Sequence, residues 1–90
     1  MAGSREISEF FKVLSHPTRV KIVEELLKQK KCVNAIEVLL SLKQSNISQH
    51  LNLLRLSGIV DYEQEGNKKC YFLTDPDFIR DLLDLFKTRR

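Results

Sequence analysis

The sequence predicts a mainly α-helical fold that contains one β-hairpin. Apolar residues recur at helical spacing through most of the chain, whereas the segment 59–73 carries β-branched and aromatic residues on both sides of a turn. The chain has 90 residues, of which 42% are hydrophobic and 30% are charged, a composition typical of a folded globular protein. We therefore expect one domain over residues 1–90, with a modest core.

The composition also argues against several classes of protein. A formal net charge of +3 is mildly basic and compatible with nucleic-acid binding. No apolar run approaches the ~20 residues of a membrane span, and no signal-peptide pattern opens the sequence. We therefore expect a cytoplasmic location without membrane contact. With two histidines, no Gly-rich phosphate loop and no metal cluster in the sequence, neither an enzyme nor a cofactor is expected.

The first half of the chain predicts three helices. The first covers Arg5–Leu14. The second begins at Pro17, where the missing N–H of proline does no harm, and ends in the basic turn Lys28–Lys31, which suits the negative end of the helix dipole. A short third helix is predicted to open at Asn34, with Glu37 completing a capping box.

The stretch Gln44–Gly58 predicts a fourth helix, around which the chain is organised. Ile47, Leu51 and Leu54 form one apolar stripe, and Gly58 supplies the left-handed residue that commonly ends a helix. Short uncharged polar side chains share its other side near the start, namely Gln44, Ser45, Ser48 and Gln49. A helix that enters a DNA major groove needs such groups, because base edges present both donors and acceptors. The alternative is an ordinary surface helix.

The last third of the chain predicts a β-hairpin and a final helix. Ile59–Gln64 is the first strand, Glu65–Asn67 the turn and Lys68–Leu73 the returning strand. Thr74–Pro76 then caps a helix that is nearly half apolar, which is more than one core contact needs. A helix-turn-helix followed by a hairpin is a winged helix-turn-helix, in which the hairpin can lie along the DNA backbone while the fourth helix enters the groove.

Four segments together identify a family resemblance. They are Leu14–Arg19 with Ile22 and Val23, Gln44–Leu51, Leu54–Val60, and Gly66 followed by Tyr71–Leu73. Together these segments span nearly the whole chain. In their order and spacing, the sequence resembles the ArsR/SmtB family of small bacterial and archaeal winged-helix repressors. The resemblance implies a DNA-binding transcription regulator.

The resemblance also implies a homodimer joined through the first and last helices, which fits the surplus of apolar residues there. Such a dimer presents its two fourth helices to successive major grooves of a near-palindromic operator. Family members usually repress transcription and leave the operator when an inducer binds. Two alternatives stay open: a winged-helix module for protein–protein contact that has no operator, and a repressor without an inducer site of its own.

Position along the family pattern implies which residues meet double-stranded DNA. Bases and nearby phosphates would be met by Gln44, Ser45, Ser48 and Gln49. The sugar-phosphate backbone would be met by Arg55, Asn67, Lys68 and Lys69. Phosphate contacts should supply most of the affinity and make it fall steeply with salt.

The two histidines are predicted to differ in their roles. His50 is predicted to lie at the edge of the fourth helix and to hold the helix-turn-helix together by a hydrogen bond; the alternative is a DNA contact or a ligand. His16 is predicted to be a surface residue before Pro17, without a function.

Metal sensing is not expected. Metal-sensing relatives carry a Cys-Val-Cys pair at the start of the third helix, whereas this chain has Cys32, Val33 and Asn34 there. Other relatives use Asp and His residues of the last helix, which here has aspartates but no histidine. One thiol and distant carboxylates do not make a site for a borderline or soft metal, so the inducer stays unknown.

Cys32 and Cys70 are the candidates for a thiol switch. Both follow lysines, which favour the thiolate, and a thiolate can be oxidised or persulfidated. If Tyr71 and Leu73 face the core, alternation along the strand predicts that Cys70 faces outward. Relatives that sense sulfide or oxidants pair cysteines of the second and last helices, and neither position matches here. The alternative is that each cysteine is a small hydrophobe.

Overall fold

The computed structural model describes residues 3–89 and has the predicted winged-helix order, with one additional strand. Its elements are α1 (Ser4–Val13), α2 (Pro17–Lys28), β1 (Lys31–Cys32), α3 (Val33–Leu40), α4 (Gln44–Leu56), β2 (Val60–Glu65), β3 (Lys68–Leu73) and α5 (Pro76–Thr88). The strands form one antiparallel sheet in the order β1-β3-β2. Among residues 3–89, every helix is too short or too polar to span a membrane.

The starts of α2 and α5 follow the sequence prediction, because each has a proline at its first turn and a capping side chain before it. Asp75 accepts a hydrogen bond from the backbone N–H of Phe78 at 3.2 Å. At α2, Nδ1 of His16 accepts from the N–H of Thr18 at 3.1 Å. The prediction that His16 is merely a surface residue is therefore wrong, since its half-buried ring caps α2.

The start of α3 differs from the prediction. The helix begins at Val33 with Cys32 as its N-cap, so Asn34 lies inside the helix rather than at its cap. The reason is that Lys31 and Cys32 pair with β3, and the chain turns from this strand directly into the helix. Ser41 ends α3 in the left-handed conformation with φ of 54°, which takes the place of the glycine that such a turn usually contains.

The core is built from aliphatic residues of α2, α3, α4 and the sheet. The α4 stripe of Ile47, Leu51 and Leu54 is fully buried, as its spacing predicts, and packs in one cluster with Ile22 and Ile36. Full burial of such side chains stabilises a fold by about 1.5–3 kcal/mol each. The core therefore fixes the rotation of α4, so that its polar side is turned to solvent.

We call the hairpin Val60–Leu73 the wing. Its pairing runs from Val60 opposite Leu73 to Glu65 opposite Lys68, and the turn uses Gly66 with φ of 64°. The hydroxyl of Thr74, just beyond the wing, donates to the carbonyl of Gly58 at 2.6 Å. This bond ties the end of the wing to the end of α4.

The prediction that Cys70 faces solvent is also wrong, because the residue is 1% exposed. Its neighbours Tyr71 and Leu73 do pack in the core, so Cys70 points to the opposite face of the sheet. That face is covered at this point by Cys32, whose sulfur is bonded to that of Cys70. Cys70 is buried because β1 pairs with β3 at this point, and the sequence did not predict β1.

Candidate nucleic-acid interface

A cleft of about 510 Å³ lies between α4 and the wing. We call it the α4–wing cleft. Its lining residues are Val33, Asn34, Gln44, Ser48, Asn52, Gln64, Asn67, Lys68, Lys69 and Tyr71. One wall therefore carries amides and a hydroxyl, and the other carries two amines. This combination suits a ligand with hydrogen-bonding edges beside negative charge.

The α4 wall contains two of the four predicted base-contacting residues. Gln44 and Ser48 are one helical turn apart and line the α4–wing cleft. Ser45 and Gln49 occupy the neighbouring positions of α4 and are exposed, although they do not line the cleft itself. All four lie on the solvent side of a helix whose opposite stripe is buried, so their side chains are available to a ligand.

The wing wall contains three predicted backbone-contacting residues, Asn67, Lys68 and Lys69. All three are exposed. The ammonium of Lys69 lies 4.8 Å from the centroid of the Tyr62 ring, a cation–π contact that holds part of its side chain. The lysines thus present positive charge on the wall opposite α4.

Four polar residues of the α4–wing cleft were not predicted as site residues: Asn34, Asn52, Gln64 and Tyr71. Asn52 could have been found, because it lies two turns beyond Gln44 on the same side of α4. Burial raises the pKa of Tyr71, and Tyr62 adds to the effect. Its phenol, like that of an ordinary tyrosine, can donate a hydrogen bond at neutral pH.

Among the predicted backbone-contacting residues, Arg55 is the one that lies outside the cleft. Its Nε donates to Asp61 at 3.1 Å, and its guanidinium lies 4.7 Å from the centroid of the Tyr62 ring. The backbone N–H of Tyr62, followed by Arg55, lowers the pKa of Asp61. Arg55 thus links the last turn of α4 to the first strand of the wing.

His50 lies against the cap of α2. Its ring centroid is 4.6 Å from that of His16, and within residues 3–89 its buried Nδ1 has no hydrogen-bond partner. Nδ1 therefore does not make the hydrogen bond that was predicted for His50, and packing against the His16 ring connects α4 to α2. Desolvation, followed by the charges of His16 and Arg19, holds the pKa of His50 below its ordinary value of 6.5.

This lowered pKa predicts an acid-sensitive fold. In the folded protein His50 resists protonation, whereas the unfolded chain binds the proton below about pH 6.5. The His50 contribution to stability is therefore complete above that pH and is lost as the pH falls further. Urea unfolding between neutral pH and about pH 5 should show a falling free energy of unfolding. His50→Gln should reduce that fall; an unchanged pH dependence in this variant would contradict the assignment.

Cys32 and Cys70 are brought together by the sheet. They stand directly opposite each other on β1 and β3 and form a disulfide across 38 residues of sequence. Their pairing could not be predicted, because β1 has only two residues and gives no periodic signal. The one available signal was their similar context, since each follows a lysine and precedes a Val or Tyr.

The family follows from comparison of the sequence with known families. Residues 16–62 match the family described as bacterial regulatory protein, arsR family. The chain belongs to the ArsR family. The matched segment runs from the cap of α2 through α3 and α4 into the wing, and so contains the α4 wall of the cleft.

Three proteins illustrate what this chain is similar to in sequence. The uncharacterized HTH-type transcriptional regulator Rv0081 of Mycobacterium tuberculosis is 42% identical over 73 residues, which cover 78% of this chain and 62% of that protein. The regulator MJ1325 of Methanocaldococcus jannaschii is 35% identical over 86 residues, covering 94% and 96%. The HTH-type transcriptional repressor SmtB of M. tuberculosis is 33% identical over 76 residues, covering 84% and 56%.

The fold comparison agrees with the sequence. The crystal structure of M. tuberculosis Rv0081 superposes with a TM-score of 0.81 at 37% identity, covering 89% of this chain and 80% of that one. The chain spans about six tenths of the length of the full Rv0081 sequence and 80% of the Rv0081 chain in the crystal structure.

Proposed function

We propose that the chain is a DNA-binding transcriptional repressor that acts as a homodimer. The observation that carries this proposal is the α4–wing cleft, which has uncharged hydrogen-bonding groups on α4 opposite two lysines of the wing. Membership of the ArsR family and the similarity to a protein named as a transcriptional repressor support it. In the proposed complex, α4 enters the major groove and the wing follows the backbone.

The residues take different parts in this complex. Gln44, Ser45, Ser48 and Gln49 meet base edges and nearby phosphates. Phosphates are met by Asn67, Lys68 and Lys69. Arg55 adds a contact to the DNA backbone through the guanidinium N–H groups that do not bind Asp61. Base contacts give sequence preference, whereas the phosphate contacts give affinity and register.

The homodimer is proposed to form through α1 and α5. These two helices meet where the rings of Phe10 and Phe78 lie 5.7 Å apart, and Phe11 and Phe86 line one apolar groove of about 330 Å³. Phe86 is 71% exposed and Leu85 is 70% exposed. Contiguous apolar surface of this kind is typical of an interface, and a second copy would place two α4 helices on one duplex.

Substitution of the proposed interface should separate the subunits. Phe11→Glu with Phe86→Glu places four charges in the dimer interface, so the variant should elute as a folded monomer and lose most of its affinity for an inverted-repeat duplex. Val38→Glu is the matched control, because Val38 is 80% exposed on α3 and outside the interface. Light scattering measures the mass. If the double variant stays dimeric, the interface lies elsewhere.

The salt dependence of DNA binding tests the function itself. Lys68→Gln with Lys69→Gln removes four phosphate contacts per dimer, so the slope of log affinity against log salt should become shallower by about 3–4. Lys21→Gln with Lys28→Gln on α2 removes the same charge away from the cleft and should leave the slope nearly unchanged. Absence of affinity of the unmodified chain for any duplex at low salt would instead support a protein–protein module.

Repression also requires release, and we propose that an inducer or a chemical change of the protein weakens the operator complex. Release then needs a structural element that the signal can alter and that directly adjoins residues of the α4–wing cleft. The cysteine pair is such an element.

A further inference from the structure

We propose that Cys32 and Cys70, which directly adjoin residues of the α4–wing cleft in sequence, form a reversible two-electron redox switch, and that the oxidised form binds DNA more tightly. This inference rests on the proposed function, because it describes the regulation of the same site. It differs from a thiol switch on a single cysteine, since both sulfurs take part and the bond between them is the active element.

The position of the disulfide connects the two walls of the cleft. Cys32 is the N-cap of α3, the first helix of the helix-turn-helix, and Val33 and Asn34 directly after it line the cleft. Cys70 directly follows the cleft residues Lys68 and Lys69 on β3. The bond therefore joins the helix-turn-helix to the wing within two residues of cleft residues on both sides.

Few other interactions hold these two parts together at this point. The ladder between β1 and β3 has only two residue pairs. On the outer face of the sheet, Lys30 forms ion pairs with Glu63 at 3.2 Å and with Glu65, and all three side chains are exposed. Exposed ion pairs contribute little, so on this face of the sheet the disulfide is the main connection between the start of α3 and the wing.

Reduction would therefore loosen the wing turn and its lysines relative to the start of α3, while Val60, Tyr71 and Leu73 keep the base of the wing packed in the core. A loosened wing turn must be ordered again when its lysines meet phosphates, and that ordering weakens binding. In the oxidised form the two walls are already held at the separation that the cleft shows. We expect the oxidised protein to bind a specific duplex about three- to tenfold more tightly than the reduced protein.

The environment of the two sulfurs sets the order of the chemical steps. Cys70 is 1% exposed, whereas Cys32 is half-buried, so a reagent reaches Cys32 first. Cys32 also lies at the amino end of α3, where the helix dipole favours a thiolate. Cys32 is therefore the attacking thiol, and Cys70 is the resolving thiol.

A hydroperoxide is the class of oxidant that these steps need. The Cys32 thiolate attacks one peroxide oxygen, the O–O bond breaks, and the leaving oxygen takes a proton as water or an alcohol. The Cys70 thiol then attacks the Cys32 sulfenic acid, which forms the S–S bond and releases water. Two electrons pass from the two thiols to one peroxide. A dithiol reverses the change by two thiol–disulfide exchanges, attacking first at the accessible Cys32 sulfur.

The test compares one duplex in two redox states. A duplex is first selected from a random library by the oxidised protein, and its affinity is then measured after equilibration in oxidised or reduced dithiothreitol and after hydrogen peroxide treatment of the reduced protein. Thiol titration should find both thiols free in the reduced form and neither free in the oxidised form. Reduction should weaken binding about three- to tenfold, and peroxide should restore it.

Two variants separate redox control from damage to the fold. Cys32→Ser with Cys70→Ala, and Cys32→Ser alone, should bind with the reduced affinity in every buffer while remaining dimeric. Equal affinity of the unmodified protein in both redox states, or tighter binding after reduction, would overturn the switch. Failure to select any duplex would contradict the proposed function instead, so the two failures are distinguishable.

Discussion

Ser48→Ala with Gln49→Ala should reduce affinity for the selected duplex at least about 100-fold. Each side chain offers hydrogen bonds to base edges in both subunits, and well-placed base contacts are worth roughly 1–3 kcal/mol. Alanine is the strongest helix former and both positions are exposed, so α4 should remain folded. Fluorescence anisotropy with the selected and a scrambled duplex measures the loss.

The loss should be specific to sequence. Binding to the scrambled duplex should change little in the Ser48 and Gln49 variant, because the phosphate contacts of the wing remain. Ser15→Ala with Gln29→Ala makes the same chemical change away from α4 and serves as the matched control. Equal affinity of the Ser48 and Gln49 variant and the unmodified chain for the selected duplex would show that the base contacts are made elsewhere.

Reduction of the Cys32–Cys70 disulfide should lower the free energy of unfolding by about 4 kcal/mol. The bond closes a loop with a sequence separation of 38 residues, and loss of such a crosslink returns conformational entropy to the unfolded chain. For a domain of this size that is a large part of the total stability. Urea unfolding with and without a dithiol, at one fixed protein concentration, measures the difference.

The same cysteine variants provide the control for this stability measurement. Cys32→Ser with Cys70→Ala should unfold at the same urea concentration with and without the dithiol, and it should be less stable than the oxidised protein. Thiol titration must show both thiols free after treatment with the dithiol. If the reduced protein is then as stable as the oxidised protein, the disulfide does not stabilise the fold.

Much of the fold could be predicted because its helices carry strong periodic signals. The buried stripe of α4 and the capped starts of α2 and α5 follow directly from the positions of apolar residues, prolines and Asp75. β1 could not be predicted, since a strand of two residues has no alternation to read. Because β1 was not predicted, α3 was expected to start at Asn34 rather than at Val33, and Cys70 was expected to be exposed rather than buried.

The candidate site could be predicted only in part. The polar side of α4 was visible in the sequence because its residue types differ from those of an ordinary charged surface. The contribution of Asn34 and Tyr71 depends on the wing lying beside α3 and α4, which is a tertiary arrangement. The cysteine pair likewise depends on register between β1 and β3, and no local pattern of residues encodes that register.

Amide chemical shifts during titration with the selected duplex test the central claim most directly. The account predicts that the largest changes fall on the start of α4, residues 44–49, and on the wing turn and its lysines, residues 66–69. It also predicts little change on α1 and α5. Changes concentrated on α1 and α5, with α4 and the wing unaffected, would contradict the assignment of the α4–wing cleft as the surface that binds DNA.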